Sequence, residues 1–217
     1  MEKIKRKATI KHKVSKGKIT TVKQSEKEKK LLRLMAKIHV ECYTMDTEFK
    51  TAWFFPGYNG IKGYLGTEKL IFAGINPSYG KFPSKPVKLL YDSLKKYELQ
   101  NVHITDIIKS RLSKQQYLRL KSNEELFNKI LEKNIKWLKQ ELKIIDGNLD
   151  VRIVGIGNEA KEILERYFKG KVVDIFLPHY AWVESYSESS RHQKRLRFRS
   201  AIRNIKKAFV IDLNLKS

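Results

Sequence analysis

The chain has 217 residues, enough for one domain with a full core and too few for two of ordinary size. Its 46 Lys and Arg against 23 Asp and Glu give a formal charge of +23, so a polyanion is the first partner to consider. The single cysteine, Cys42, excludes an internal disulfide, a cysteine-ligated zinc site and a four-cysteine iron–sulfur cluster. No apolar run approaches the roughly 18 residues of a membrane helix, which fits a soluble intracellular protein with no membrane partner.

Residues 1–24 hold nine Lys/Arg and one acid, Glu2, and read as a basic arm, flexible or folded into a hairpin around Ser15-Lys16-Gly17. The remainder, 25–217, reads as one α/β domain. From Ser25 onward Leu31, Leu32, Leu34, Met35 and Ile38 recur every three to four residues, the signature of an amphipathic helix. WFFPGYNGIKGYLG follows as an irregular segment leading inward. Four short apolar or β-branched runs come next, at 70–75, 102–105, 151–156 and 172–177, with helical patterns between them. The spacing predicts helices over 86–97, over 122–145 with Ser122 and Glu125 as a capping box, and over 158–168 capped by Asn158. A last helix over 188–207 leads into a possible fifth strand at 208–213. Strand–helix alternation predicts a three-layer α/β/α sandwich around a four-stranded parallel sheet, whose ligands sit beyond the carboxyl ends of the strands.

Chemistry is therefore sought in the four strand ends. The first run leads into Gly74-Ile75-Asn76-Pro77-Ser78-Tyr79-Gly80-Lys81-Phe82. On this turn Asn76 either holds a water or a polar substrate edge, or closes an Asx turn on its own backbone. The second ends at Thr105-Asp106, a carboxylate that either accepts from a ligand, caps a turn, or pairs with Lys109 or Arg111. The third runs into Gly155-Ile156-Gly157-Asn158-Glu159-Ala160, a short match to a dinucleotide fingerprint that close helix–strand packing explains equally well. The fourth ends in Pro178-His179-Tyr180, where a lone histidine is either structural or a donor to a ligand shared with Asn76 and Asp106. Between Arg191 and Lys207 eight Lys/Arg occur without an acid, beside Tyr180, Trp182 and Tyr186. This combination suits either a solvated helix face or a phosphate-gripping rim next to a stacking surface.

These residues resemble the uracil-DNA glycosylase superfamily, in particular its mismatch-specific and single-strand-selective branches. LIFAGINPS is similar to its first motif, NVHITDIIKSR to its second strand, VRIVGIGNEAKEIL to its third strand and helix, and FLPHYAW takes the place of the second motif. The likeness spans about residues 50–205. It implies a monofunctional glycosylase that rotates a deaminated base out of DNA and hydrolyses its N-glycosidic bond, as a monomer in the cytoplasm or nucleoid, without cofactor or metal. By position, Asn76 would orient the attacking water and His179 would donate to the base as it leaves. Gly74, Ile75, Tyr79, Phe82 and Asp106 would contact the base, with Phe82 the stacking ring and Tyr79 the alternative. Ser78, Tyr180, Ser187, Arg191, Lys194 and Arg195 would face the DNA.

Two positions depart from the family pattern. Asp106 stands where many members carry an Asn, and an ionised Asp only accepts hydrogen bonds. Tyr180-Ala181 replace Pro-Ser after the histidine. These departures keep open a nucleic-acid-binding protein that has lost catalysis, and Gly155–Ala160 keeps open a nucleotide-cofactor enzyme.

Overall fold

The computed structural model describes residues 24–44, 49–77 and 79–215; the basic arm expected over residues 1–24 falls outside them except for Gln24. Ser25 opens helix α1 (Glu26–Tyr43) with a capping box, its hydroxyl accepting from the Glu28 N–H while the Glu28 carboxylate accepts from Ser25 N–H at 2.7 Å. The apolar stripe Leu31, Leu34, Ile38 and Cys42 then packs on Trp137. The aromatic segment that follows has little regular structure beyond a 3₁₀ turn at Gly63–Leu65, and it buries Phe54, Phe55, Ile61 and Tyr64.

Strands β1 (Glu68–Gly74), β2 (Val102–Asp106) and β3 (Arg152–Gly155) pair in parallel in the order β2-β1-β3. Helix α2 (Lys85–Lys96) lies between β1 and β2; α3 (Lys114–Ser122) and α4 (Glu124–Ile145) lie between β2 and β3. Helices α5 (Asn158–Tyr167), α6 (Tyr180–Glu184) and α7 (Glu188–Asn214) complete the chain. Side chains alternate across the sheet as parallel pairing requires. Leu70, Phe72, Ile104 and Val154 pack with Leu90 and Leu94 of α2 and Phe198 and Ile202 of α7. On the other face Ile71, Ala73 and Ile153 pack with Leu131, Leu138 and Leu142 of α4 and Ile163 and Leu164 of α5. The fold is thus mixed α/β with helices on both faces of a parallel sheet.

The sheet has three strands among the described residues, one fewer than the sequence pattern suggests. The run 172–177 touches β3 only through isolated parallel bridges, Ile153 to Val172 and Ile156 to Leu177. Two residues lie between those bridges on one side and four on the other, so no continuous register is possible and the segment bows outward. Asp174, at the bow, reaches out to Lys161 at 2.7 Å.

Three further boundaries differ. Ser122 ends α3, a helix the pattern did not separate, and its hydroxyl donates back to Arg119 O; Asn123 supplies the cap of α4 by accepting from Leu126 N–H at 3.0 Å. The cap of α5 is Gly157 rather than Asn158, because the turn out of β3 requires φ of 89° there. The expected strand at 208–213 is the last turns of α7. Phe198, Ile202, Ile205 and Phe209 recur every three to four residues on one buried stripe, which carries the helix past Lys207.

Candidate functional site at the carboxyl edge of the sheet

Parallel pairing brings the strand ends to one edge. Gly74 is level with Asp106, Ala73 with Gly155, and Gly157 N–H donates to Leu177 O at 2.8 Å. Asn76, Asp106, the Gly155–Gly157 turn and His179 therefore line up along the same rim of the fold.

Asp106 is the most constrained of them. It is 5% exposed, and its Oδ2 has no hydrogen-bond partner. A Cβ on Gly74 would collide with Oδ1, so glycine at 74 is what makes room for the carboxyl. Burial raises its pKa to about 7, with Lys109 opposing the rise and Glu141 adding to it. Neither cation considered for it from the sequence binds the carboxylate. Lys109 gives its ammonium to Thr105 Oγ1 (2.6 Å), to the main-chain oxygen of Asp106 (2.6 Å) and to Glu141 (2.8 Å), while Arg111 donates to Gly80 O at 3.0 Å.

Behind the edge stands a polar cluster that sequence spacing gave no means of finding. Lys109, Glu141 and His103 are fully buried, and Glu141 accepts from Lys109, from Thr105 at 3.0 Å and from Tyr64 at 3.1 Å, with His103 Nε2 at 3.4 Å. Burial alone would raise the Glu141 pKa, but Lys109 and His103 outweigh it and hold the group at about 2. Glu141 sits on α4 among residues that otherwise read as an apolar stripe, and only the fold brings it to β2.

The Asn76 amide nitrogen faces two carbonyls, Pro77 O at 3.2 Å and Leu112 O at 3.3 Å. Two acceptors on one side fix the amide orientation, which turns Oδ1 away from them as an acceptor. The amide nitrogen thus binds backbone as a donor, which is not the Asx turn, whose side-chain oxygen accepts from an N–H two residues on. His179 caps α6, and its Nδ1 accepts from Ala181 N–H at 3.2 Å. Burial lowers its pKa, so near neutrality the ring is uncharged and its proton sits on Nε2, a donor.

The remaining expected contacts divide. Phe82 lines a hollow of about 40 Å³ with Trp53, Pro77, Arg111 and Tyr180, and packs edge-on against Tyr58 and Tyr91. Tyr79 is outside, under the Arg111 guanidinium at 5.2 Å. Ile75 turns into the core on the α4 side. His179 borders a separate open hollow of about 440 Å³ with Gly157, Phe176, Pro178 and Trp182. Neither Asn76 nor Asp106 lines either hollow, so the edge gathers these groups without placing them in a single chamber. Trp53 and Arg111 were not singled out as site residues; the aromatic run at 53–55 was the one signal for the first.

Of the expected phosphate contacts, Arg195 is committed to Glu184 through two hydrogen bonds of 2.5 and 2.7 Å, and Arg191 donates to Tyr186 O. Lys194 lies over the rings of Trp182 (4.0 Å) and Tyr186 (3.5 Å), and Ser187 caps α7 through its backbone. Arg197 and Lys194 line a third hollow with the 48%-exposed Trp182. The basic block is therefore part internal clamp, part outward rim. Ser78 lies outside the described residues.

Gly155 answers the dinucleotide question in steric terms. A Cβ there would sit 2.6 Å from the Lys161 backbone, so helix α5 needs the glycine to approach β3. No group of three or more His, Cys, Asp or Glu suited to a metal ion occurs among the described residues, and no helix among them is long and apolar enough to cross a membrane.

Fold and edge together define a class, a parallel-sheet α/β protein carrying a buried acid, a free amide acceptor and a neutral imidazole on one rim. Compared with known proteins, the chain matches no family model and no curated protein.

Proposed function

We propose that this protein is a monofunctional DNA glycosylase of the uracil-DNA glycosylase type, with the bowed run 172–177 standing where that fold has its fourth strand. The observation that carries the reading is the rim itself: a water acceptor (Asn76 Oδ1), an unpartnered buried carboxyl (Asp106) and an Nε2–H donor (His179) beyond successive strands of one parallel sheet. Breaking an N-glycosidic bond builds positive charge on the sugar and negative charge on the base, and preorganised dipoles at such an edge stabilise both. In this scheme the C1′–N bond breaks with its electron pair passing to the base, which His179 steadies by donating a hydrogen bond. A water oriented by Asn76 adds its oxygen to C1′, and its proton ends on the released base. Lys194, Arg197 and the N-terminal lysines hold phosphates, whose contacts offset the few kcal/mol needed to unstack the base.

A cavity of about 150 Å³ accepts a benzene ring, so a hollow of about 40 Å³ holds a few waters and no base. The reading therefore requires the Phe82 and Tyr180 side chains to move when DNA binds. That hollow is also the observation favouring a second reading, a nucleic-acid-binding protein without catalysis. Oligonucleotides carrying uracil, hypoxanthine or xanthine, in duplex and single-stranded form, separate the two. Excision leaves alkali-labile sites, and Asn76→Ala should abolish them while leaving DNA affinity nearly intact. Salt-sensitive binding with no base release on any substrate would establish the second reading instead.

A further inference from the structure

We propose that the outer surface between α6 and α7 seats an unpaired nucleotide, so that the DNA this protein binds is single-stranded beside the rim. The inference rests on the DNA-binding part of the reading above and adds the strandedness of the substrate. Helix α7 turns Phe198, Ile202 and Ile205 to the core, while Lys194, Arg197 and Ala201, three and four residues apart, line an outer hollow of about 270 Å³. Phe176, Pro178 and Trp182 wall the same hollow. The bow of the run 172–177 leaves Phe176 49% exposed, and Trp182 is 48% exposed. The Lys194 ammonium lies 4.0 Å from the Trp182 ring and 3.5 Å from the Tyr186 ring, and the two rings meet edge-on at 4.8 Å. These contacts hold the indole in place before any ligand arrives.

Size and charge choose the occupant. A cavity of about 150 Å³ takes a benzene ring, so this hollow admits a base as it stands, which the 40 Å³ hollow at Phe82 does not. No acid lines it; Glu184, on the same helix as Trp182, is 4% exposed and held by Arg195. Arg197 is exposed and has no ion-pair partner among the described residues, which leaves a guanidinium for a phosphate next to two accessible rings. An apolar side chain of another protein would use the rings and not the cation, and a simple anion the cation and not the rings; a nucleotide uses both. In a duplex each base is covered by its neighbours, and freeing it costs a few kcal/mol. The seat therefore selects a strand whose bases are already unpaired. Phe176, Pro178 and Trp182 also wall the hollow of about 440 Å³ that His179 borders, so the seat opens toward the rim.

The test uses the full chain with labelled oligothymidylate, the same strand annealed to oligodeoxyadenylate, and thymidine monophosphate. Oligothymidylate should bind more tightly than the duplex and quench tryptophan emission. Trp182→Ala should weaken single-strand binding about tenfold and leave duplex binding unchanged. Trp182→Phe keeps a stacking ring, so most of the affinity should return while the quenching falls away. That variant separates stacking from damage to the fold, and the Trp182 signal from those of Trp53 and Trp137. Arg197→Gln should lower the salt slope on the single strand by about 0.7. Equal weakening of single-strand and duplex binding in Trp182→Ala, quenching undiminished in Trp182→Phe, or an unchanged slope in Arg197→Gln overturns the proposal. So does thymidine monophosphate binding as tightly as the strand, which would make the ligand a free nucleotide. Failure of the excision reading is separate: single-strand preference and quenching intact, with no base released from uracil, hypoxanthine or xanthine substrates.

Discussion

Replacing Asp106 with Asn alters the charge of the edge and little else, and its effect on stability is set by linkage. Folding moves the carboxyl from water, where its pKa is 3.8, to a site where burial raises it to about 7. The folded state then holds the proton more tightly than the unfolded chain. Below pH 4 both states are protonated and the fold suffers no penalty. As pH rises past 4 the unfolded chain ionises first, and stability falls until the folded group ionises near 7. Each pH unit is worth about 1.4 kcal/mol, so the loss is about 4 kcal/mol, a large share of the stability of an ordinary domain. Glu141 works with the opposite sign: held at about 2, its contribution is complete above about 4.5 and disappears as pH falls toward 2. Urea unfolding of both proteins from pH 4 to 8.5 should show the wild type losing about 4 kcal/mol relative to Asp106→Asn across that range. A constant difference between the two would refute the assignment of a raised, uncompensated carboxyl at this position.

Two other perturbations probe the neighbouring features. Gly155→Ala should destabilise the fold by about 1–3 kcal/mol, because the added methyl meets the Lys161 backbone, and nicotinamide titrations should be silent in both proteins. Trp182→Ala should weaken single-stranded DNA binding by about 1–3 kcal/mol while leaving the salt slope unchanged, since the exposed ring stacks on bases rather than neutralising phosphates.

Period and capping made much of this fold legible. The three paired strands overlap the apolar runs, β1 starting two residues early and β2 ending one residue late, and α1, α2 and α5 fall where the three-to-four spacing puts them, because each buries one stripe against one neighbour. Failures occurred where tertiary geometry overrides local pattern. The run 172–177 has strand composition, but its two bridges enclose unequal numbers of residues, a mismatch invisible before the bridges exist. The segment 208–213 is β-branched and aromatic, yet Phe209 extends a stripe that starts at Phe198. In the site, position along the sheet edge was readable for Asn76, Asp106 and His179 because parallel strands end together. Partner choice was not: Lys109 and Arg111 are both within reach of Asp106 in sequence, and neither pairs with its carboxylate.

That partner choice is decided from a distant helix, and the dependence can be measured. Lys109 is fully buried and needs an anion; Glu141 of α4 meets it at 2.8 Å, so the ammonium opposes the rise at Asp106 without pairing with its carboxyl. Glu141 thus adds to the rise that burial imposes on the Asp106 pKa, against the Lys109 charge that lowers it. Glu141→Gln keeps the shape while removing the charge; its single amide oxygen can go on accepting from Tyr64 or from Thr105 but not from both. Lys109 then becomes an uncompensated buried cation, and Asp106 is the acid nearest to it in the chain. The Asp106 carboxyl resonance should consequently titrate at a lower pH in this variant than in the wild type. An Asp106 midpoint unmoved by Glu141→Gln would mean that burial alone sets its proton affinity, and that the buried cluster behind the edge serves the fold without tuning the site.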